Sequence, residues 1–127
     1  MQKLIVKTKE ELRKIIEEVA VDTDLNYLDV SLITDMSHLF ENTKFNGNIS
    51  KWDVSNVTNM SHMFRNSKFS GNLSLWDVSN VRDMSYMFYG TPINKSTSYW
   101  NVRKVKNLDN FYKLSDILSD KANVFVA

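Results

Sequence analysis

The 127-residue chain carries 16 basic and 15 acidic side chains, a net charge of +1 with histidine neutral. That balance sets up no strong field toward nucleic acid or an anionic membrane, and no apolar run approaches the ~20 residues of a membrane span. There is no cysteine, which excludes disulfides and thiolate chemistry.

The opening MQKLIVKTKEELRK is too charged for a signal peptide, so the sequence as given is expected to carry no export address. Residues 3–6 read as a strand, and Thr8-x-x-Glu11 has the spacing of a capping box that opens a helix. Leu12, Ile15, Ile16 and Val19 mark one face of that helix, while Glu10, Glu11, Arg13, Lys14, Glu17 and Glu18 cover the other. A charged outer face is what a terminal capping repeat needs, so residues 1–24 are expected to close one end of an array. The mixed-sign run is then a solvated face rather than an interaction tail.

Residues 25–48 form the first regular unit. Two closely matched blocks follow: FNGNISKWDVSNVTNMSHMFRNSK over 45–68 and FSGNLSLWDVSNVRDMSYMFYGTP over 69–92, identical at 14 of 24 positions without a gap. A fixed period in this range is the mark of a repeat architecture. Within one unit, Ile49-x-x-Trp52-x-Val54 suits a short half-buried strand. Ser55 and Asn56 then suit a turn, and Val57, Met60, Met63 and Phe64 trace about two turns of helix. Gly47 supplies a tight return bend with Phe45 plugging the core, and the recurring methionines Met60, Met63, Met84 and Met87 are core filler. Residues 97–127 drift from the pattern. Tyr99-Trp100-Asn101-Val102-Arg103 keeps the strand, and Leu108, Phe111, Tyr112 and Leu118 predict a longer closing helix. Residues 122–127 are expected to end the chain as an edge strand with Val124 and Val126 inward and Phe125 outward, open to self-association between two molecules.

The period extends over the whole chain. Steps of 24 run through Leu4, Leu28, Trp52, Trp76 and Trp100 to Val124, and through Ile16, Phe40, Phe64 and Phe88 to Tyr112. A single unit buries too few apolar side chains to offset the ordering of its own backbone, so units must stack. The expectation is one domain over 1–127: a capping repeat (1–24), three regular repeats (25–96), and a divergent repeat with a closing strand (97–127). Its fold class is expected to be α/β, a right-handed solenoid of 24-residue strand–helix coils with a six-stranded parallel sheet. Leu4, in the tryptophan column, belongs to the terminal cap, and its truncation is expected to fray that end first.

The signature W-D-V-S-N-V-x-x-M-S-x-M-F resembles that of the BspA-type leucine-rich-repeat surface proteins of bacteria, in particular the variant known as a lipoprotein-associated repeat of unknown function. The likeness is close over 45–92, good over 28–44 and partial over 99–112. It implies a leucine-rich-repeat-like solenoid, a non-catalytic role and a cell-surface or secreted setting for adhesion or host contact.

Columns that stay the same from unit to unit are architecture, and columns that vary are free for function. Asp29, Asp53 and Asp77, continued by Asn101, form a constant column. It is either a cation ladder or, as the accompanying serines favour, a set of carboxylates that each bond within their own DVSN turn. His38 and His62 share a column with Tyr86 and Asn110, but neither cysteine nor a regular carboxylate completes a zinc shell. No metal, cofactor or catalytic constellation is therefore expected. Among the varying columns, Tyr27, Lys51, Leu75 and Tyr99 precede the tryptophan column and lie beside Asp29, Asp53 and Asp77 on the expected concave sheet face. Arg82, Tyr86 and Tyr89 form a competing set on the expected helix face, matched one unit earlier by Thr58, His62 and Arg65. Exposed aromatic and arginine side chains are typical binding hot spots. The sequence thus points to a non-catalytic recognition module for a protein or glycan, with no nucleic acid and no membrane insertion. The alternative is a structural spacer, a fragment of a longer surface array without a binding site of its own.

Overall fold

The structure, a computed structural model, describes residues 3–92 and 94–113. The closing strand expected at 122–127, and Leu118 of the expected closing helix, lie outside the described residues.

The N-terminal elements form as their residues dictate. Strand β1 (Leu4–Ile5) pairs in parallel with β2 (Leu28–Asp29), Leu4 opposite Leu28, which is the 24-residue register. Helix α1 (Lys9–Glu18) starts at Thr8, whose hydroxyl accepts the Glu11 N–H at 3.1 Å. The Glu11 carboxylate reaches back to the N–H of Lys7, not of Thr8, at 3.2 Å, so the capping box is displaced by one residue. Leu12 and Ile16 are buried, with Ile15 and Val19 packed partly against the same core. The helix stops where Val19 turns to extended backbone.

Beyond α1 the expected architecture is overturned. The described residues hold one α-helix, one single-turn 3-10 helix (Lys95–Thr97) and one sheet of two short strands. They do not form a six-stranded parallel sheet, nor the right-handed leucine-rich-repeat-like solenoid of strand–helix coils. The remaining pairings between segments are isolated parallel bridges, Asp35 with Asn59, Asn59 with Asp83 and Asp83 with Asn107.

Hydrogen bonding explains the difference. Where a strand was expected, the Trp52 N–H closes a turn onto the Ile49 carbonyl at 3.2 Å. Where a helix was expected, the donors of Met60, His62, Phe64 and Asn66 go instead to Asp83, Ser85, Met87 and Tyr89 in the next segment, at 2.8–2.9 Å. A helix needs those N–H groups for its own carbonyls four residues back, so it cannot form. Left-handed backbone at His62 (φ 58°) and Asn66 (φ 54°) interrupts it further, repeated at His38, Asn42, Tyr86, Gly90 and Asn110. Each segment is instead built from side-chain-capped turns. Asn48, Asp53 and Asn59 accept the N–H groups of Ser50, Ser55 and Ser61 at 2.9–3.0 Å, and Asn72, Asp77 and Asp83 repeat this with Ser74, Ser79 and Ser85.

The apolar columns do meet in the core. Phe40, Phe64 and Phe88 stack at 5.2 Å intervals, with Tyr112 next at 5.4 Å. Trp52, Trp76 and Trp100 stack at 6.3 and 6.4 Å, and their indole N–H groups donate to the carbonyls of Leu25, Ile49 and Leu73. All four methionines of the two matched blocks are fully buried. Leu4 is the exception. It keeps the register but is 55% exposed. Leu4→Ala is accordingly expected to change stability by no more than about 0.5 kcal/mol, the usual range for surface sites, in a denaturant titration. Among the described residues no helix is long and apolar enough to cross a membrane.

Candidate functional site

Two surfaces carry the residues that the sequence singled out. The first is the row Tyr27, Lys51, Leu75 and Tyr99. Each precedes a residue whose side chain is buried in the tryptophan column. Tyr27 is 40% exposed, Leu75 81% and Tyr99 99%, and Lys51 is exposed as well. Adjacent segments are tied here by the Lys51 N–H donating to the Asn26 side chain at 2.8 Å. The row lies on turns and not on a sheet, so the concave sheet face expected for it is absent.

The neighbouring carboxylates are occupied locally. Asp29, Asp53 and Asp77 each accept both the N–H and the hydroxyl of the serine two residues on, at 3.0 and 2.6 Å. Asn101 accepts the Arg103 N–H, at 3.1 Å. The Ser31 hydroxyl and N–H hold the Asp29 carboxyl below its ordinary pKa, and Ser79 does the same for Asp77. The column is therefore turn chemistry. Among the described residues no three His, Cys, Asp or Glu side chains are placed to hold a metal ion.

The second surface departs from its expected form. Arg82, Tyr86 and Tyr89 do not share a helix face, since their segment folds as turns. The structure brings Tyr86 and Tyr89 together at 5.3 Å, but the guanidinium over both rings is that of Arg65, 6.0 Å from each centroid, and not that of Arg82. His38, His62 and Tyr86 form a continuous ring stack, 4.6 and 4.8 Å between centroids. Glu41 ties this set together, its two oxygens lying 2.8 Å from His38 Nδ1 and 3.2 Å from Arg65 Nη1. Burial raises the Glu41 pKa, but the bonds to His38 and Arg65 outweigh it and hold the carboxyl below its ordinary value. Lys113 adds an ammonium 5.7 Å over Tyr89. Sequence reasoning missed Glu41 and Lys113. Their signal was a varying column at steps of 24, Glu41, Arg65, Tyr89 and Lys113, next to the histidine column.

What the two surfaces present is rings, cations and fixed negative charge. No curated protein and no solved structure matches the chain. One family model does, over residues 10–125, nearly the full length. The chain therefore belongs to the family described as Mycoplasma protein of unknown function, DUF285.

Proposed function

We propose that the protein is a non-catalytic recognition module that binds a protein or glycan partner through the row Tyr27, Lys51, Leu75 and Tyr99. The observation that carries this reading is the exposure of Leu75 and Tyr99, at 81% and 99%, in register with fully packed tryptophans. Large apolar side chains held out of a core that accepts their immediate neighbours have no packing role, and such side chains are what binding surfaces are made of. The Asp53 and Asp77 carboxylates beside the row suit a basic or hydroxyl-rich partner. The resemblance to BspA-type surface proteins supports a setting at the cell surface or in secretion, where such partners are met.

The experiment is a binding screen of the protein against a glycan array and immobilised extracellular-matrix proteins, followed by titration of any ligand found. Tyr27→Ala with Tyr99→Ala is expected to leave the circular dichroism spectrum unchanged and to weaken binding roughly a hundredfold, on about 1.5 kcal/mol for each lost aromatic contact. A paired variant, Tyr86→Ala with Tyr89→Ala, tests the ring cluster under Arg65. Loss of binding in that variant alone would move the site to the cluster. No binding to any probe would leave the spacer role as the better account.

A further inference from the structure

The His38–His62–Tyr86 stack contains an electrostatic mismatch that the function above does not use. In the segment of residues 25–48, His38 Nδ1 sits on the Glu41 carboxylate at 2.8 Å. One segment later the residue equivalent to Glu41 is Arg65, so His62 shares its turn with a cation in place of an anion. The consequence is visible in the bonding: among the described residues, His62 Nδ1 and Arg65 Nε are both buried without a hydrogen-bond partner. His62 is also held between two rings, with the His38 imidazole 4.6 Å from it on one side and Tyr86 on the other.

We propose that this stack is an acid-sensitive seam, at which protonation of His62 loosens the joint between the segments carrying His38, His62 and Tyr86. Every neighbour bears on the added proton. His38 and Arg65 oppose it by charge, while Glu41 and Asp83 favour it. Glu41 is already shared between His38 and Arg65. From α1, Arg13 and Glu17 line the same hollow as His38 and Glu41, one charge of each sign. From the other side Tyr89 carries Lys113 as well as Arg65. A protonated His62 would place an N–H in a buried position that has no acceptor, beside a guanidinium, so the charged form gains by separating the rings and admitting water.

The sign is consistent with this account. Burial first, then the His38 charge, lower the His62 pKa below its ordinary value of about 6.5. A histidine that binds its proton less well in the folded state contributes stability above the unfolded value, and that stability is lost as pH falls below about 6.5. Glu41, also lowered, gives up its contribution only below the ordinary carboxylate value of about 4.3, so a loss that sets in below about 6.5 begins before Glu41 contributes to it.

The test uses His62→Tyr, because the next segment already carries a tyrosine at this position with the same left-handed backbone (φ 57°). Melting of the wild type is expected at a lower temperature at about pH 5.5 than at about pH 7.5, and His62→Tyr is expected to lose most of that difference. In the wild type, NMR titration of the imidazoles should place the His62 midpoint below the ordinary value. Amide exchange, corrected for its intrinsic pH dependence, should quicken on acidification at Asn42 and His62, which donate to Arg65 and Ser85 across the joint. A His62 midpoint at or above the ordinary value overturns the proposal, and so does an unchanged acid loss in His62→Tyr. Should that variant not fold, the wild-type titration and exchange decide alone.

Discussion

Trp76→Ala is expected to be the most destabilising single truncation in the chain, at about 3–5 kcal/mol. Trp76 is 3% exposed and lies between Trp52 and Trp100, nearly parallel to both, with Phe64 against its flank at 6.3 Å. Removing it leaves a cavity at the centre of the column that its neighbours cannot fill, since each is held in place by its own indole bond to a carbonyl. The Ile49 carbonyl, which accepts from Trp76 Nε1 at 3.0 Å, would be left without that donor. Against a typical total of about 5–15 kcal/mol, the loss is a large fraction of the fold's stability. Denaturant unfolding followed by the remaining tryptophans measures it. Trp76→Phe separates the contributions, keeping a ring in the column while losing the hydrogen bond, and should cost about 1–3 kcal/mol. A cost below about 1 kcal/mol for Trp76→Ala would show that the column does not carry the core.

Gly47→Ala is the second large effect expected, about 3 kcal/mol, at the upper end of the range for overpacking. A Cβ at Gly47 would stand 1.9 Å from the Thr23 carbonyl oxygen and 2.7 Å from Phe45 Cζ. The obstacle is backbone, and it is pinned on both sides: the Asn46 N–H donates to Val21 at 2.7 Å and the Leu25 N–H to Asn48 at 3.0 Å. Neither run can yield without breaking those bonds. Gly71, one segment on, provides the internal comparison. There the three nearest atoms to an added Cβ all belong to the Phe69 ring, the closest at 2.7 Å, so only a side chain has to move. Gly71→Ala should therefore cost less than Gly47→Ala in the same titration. Equal costs would mean that the close approach to Thr23 relaxes freely.

The sequence by itself determined which residues meet. A 24-residue period places Phe40, Phe64 and Phe88 in one column and Trp52, Trp76 and Trp100 in another, and the members of each column stack on one another. It also determined α1, because the Thr8 cap and the Leu12–Ile16 spacing are local features, and the turn role of Asp29, Asp53 and Asp77, because the serine that each bonds is two residues away. Asn42, Asn66 and Gly90 are residue types that accept left-handed backbone, a signal the sequence reading did not use, whereas Tyr86 carries no such local signal. What the tertiary structure alone decided was the path of the backbone within each segment. Val57, Met60, Met63 and Phe64 are buried equally well by two turns of helix or by a run of tight turns, so their spacing cannot choose between them. The choice falls to the N–H groups. Those of Met36, His38 and Phe40 find carbonyls in the adjacent segment at 2.8–3.0 Å, a partner some two dozen residues away that no local window contains. The same cause places Arg65, not Arg82, over Tyr86 and Tyr89: the turns hold neighbouring segments side by side, so Arg65 meets rings of the next segment, Tyr89 being its counterpart 24 residues on.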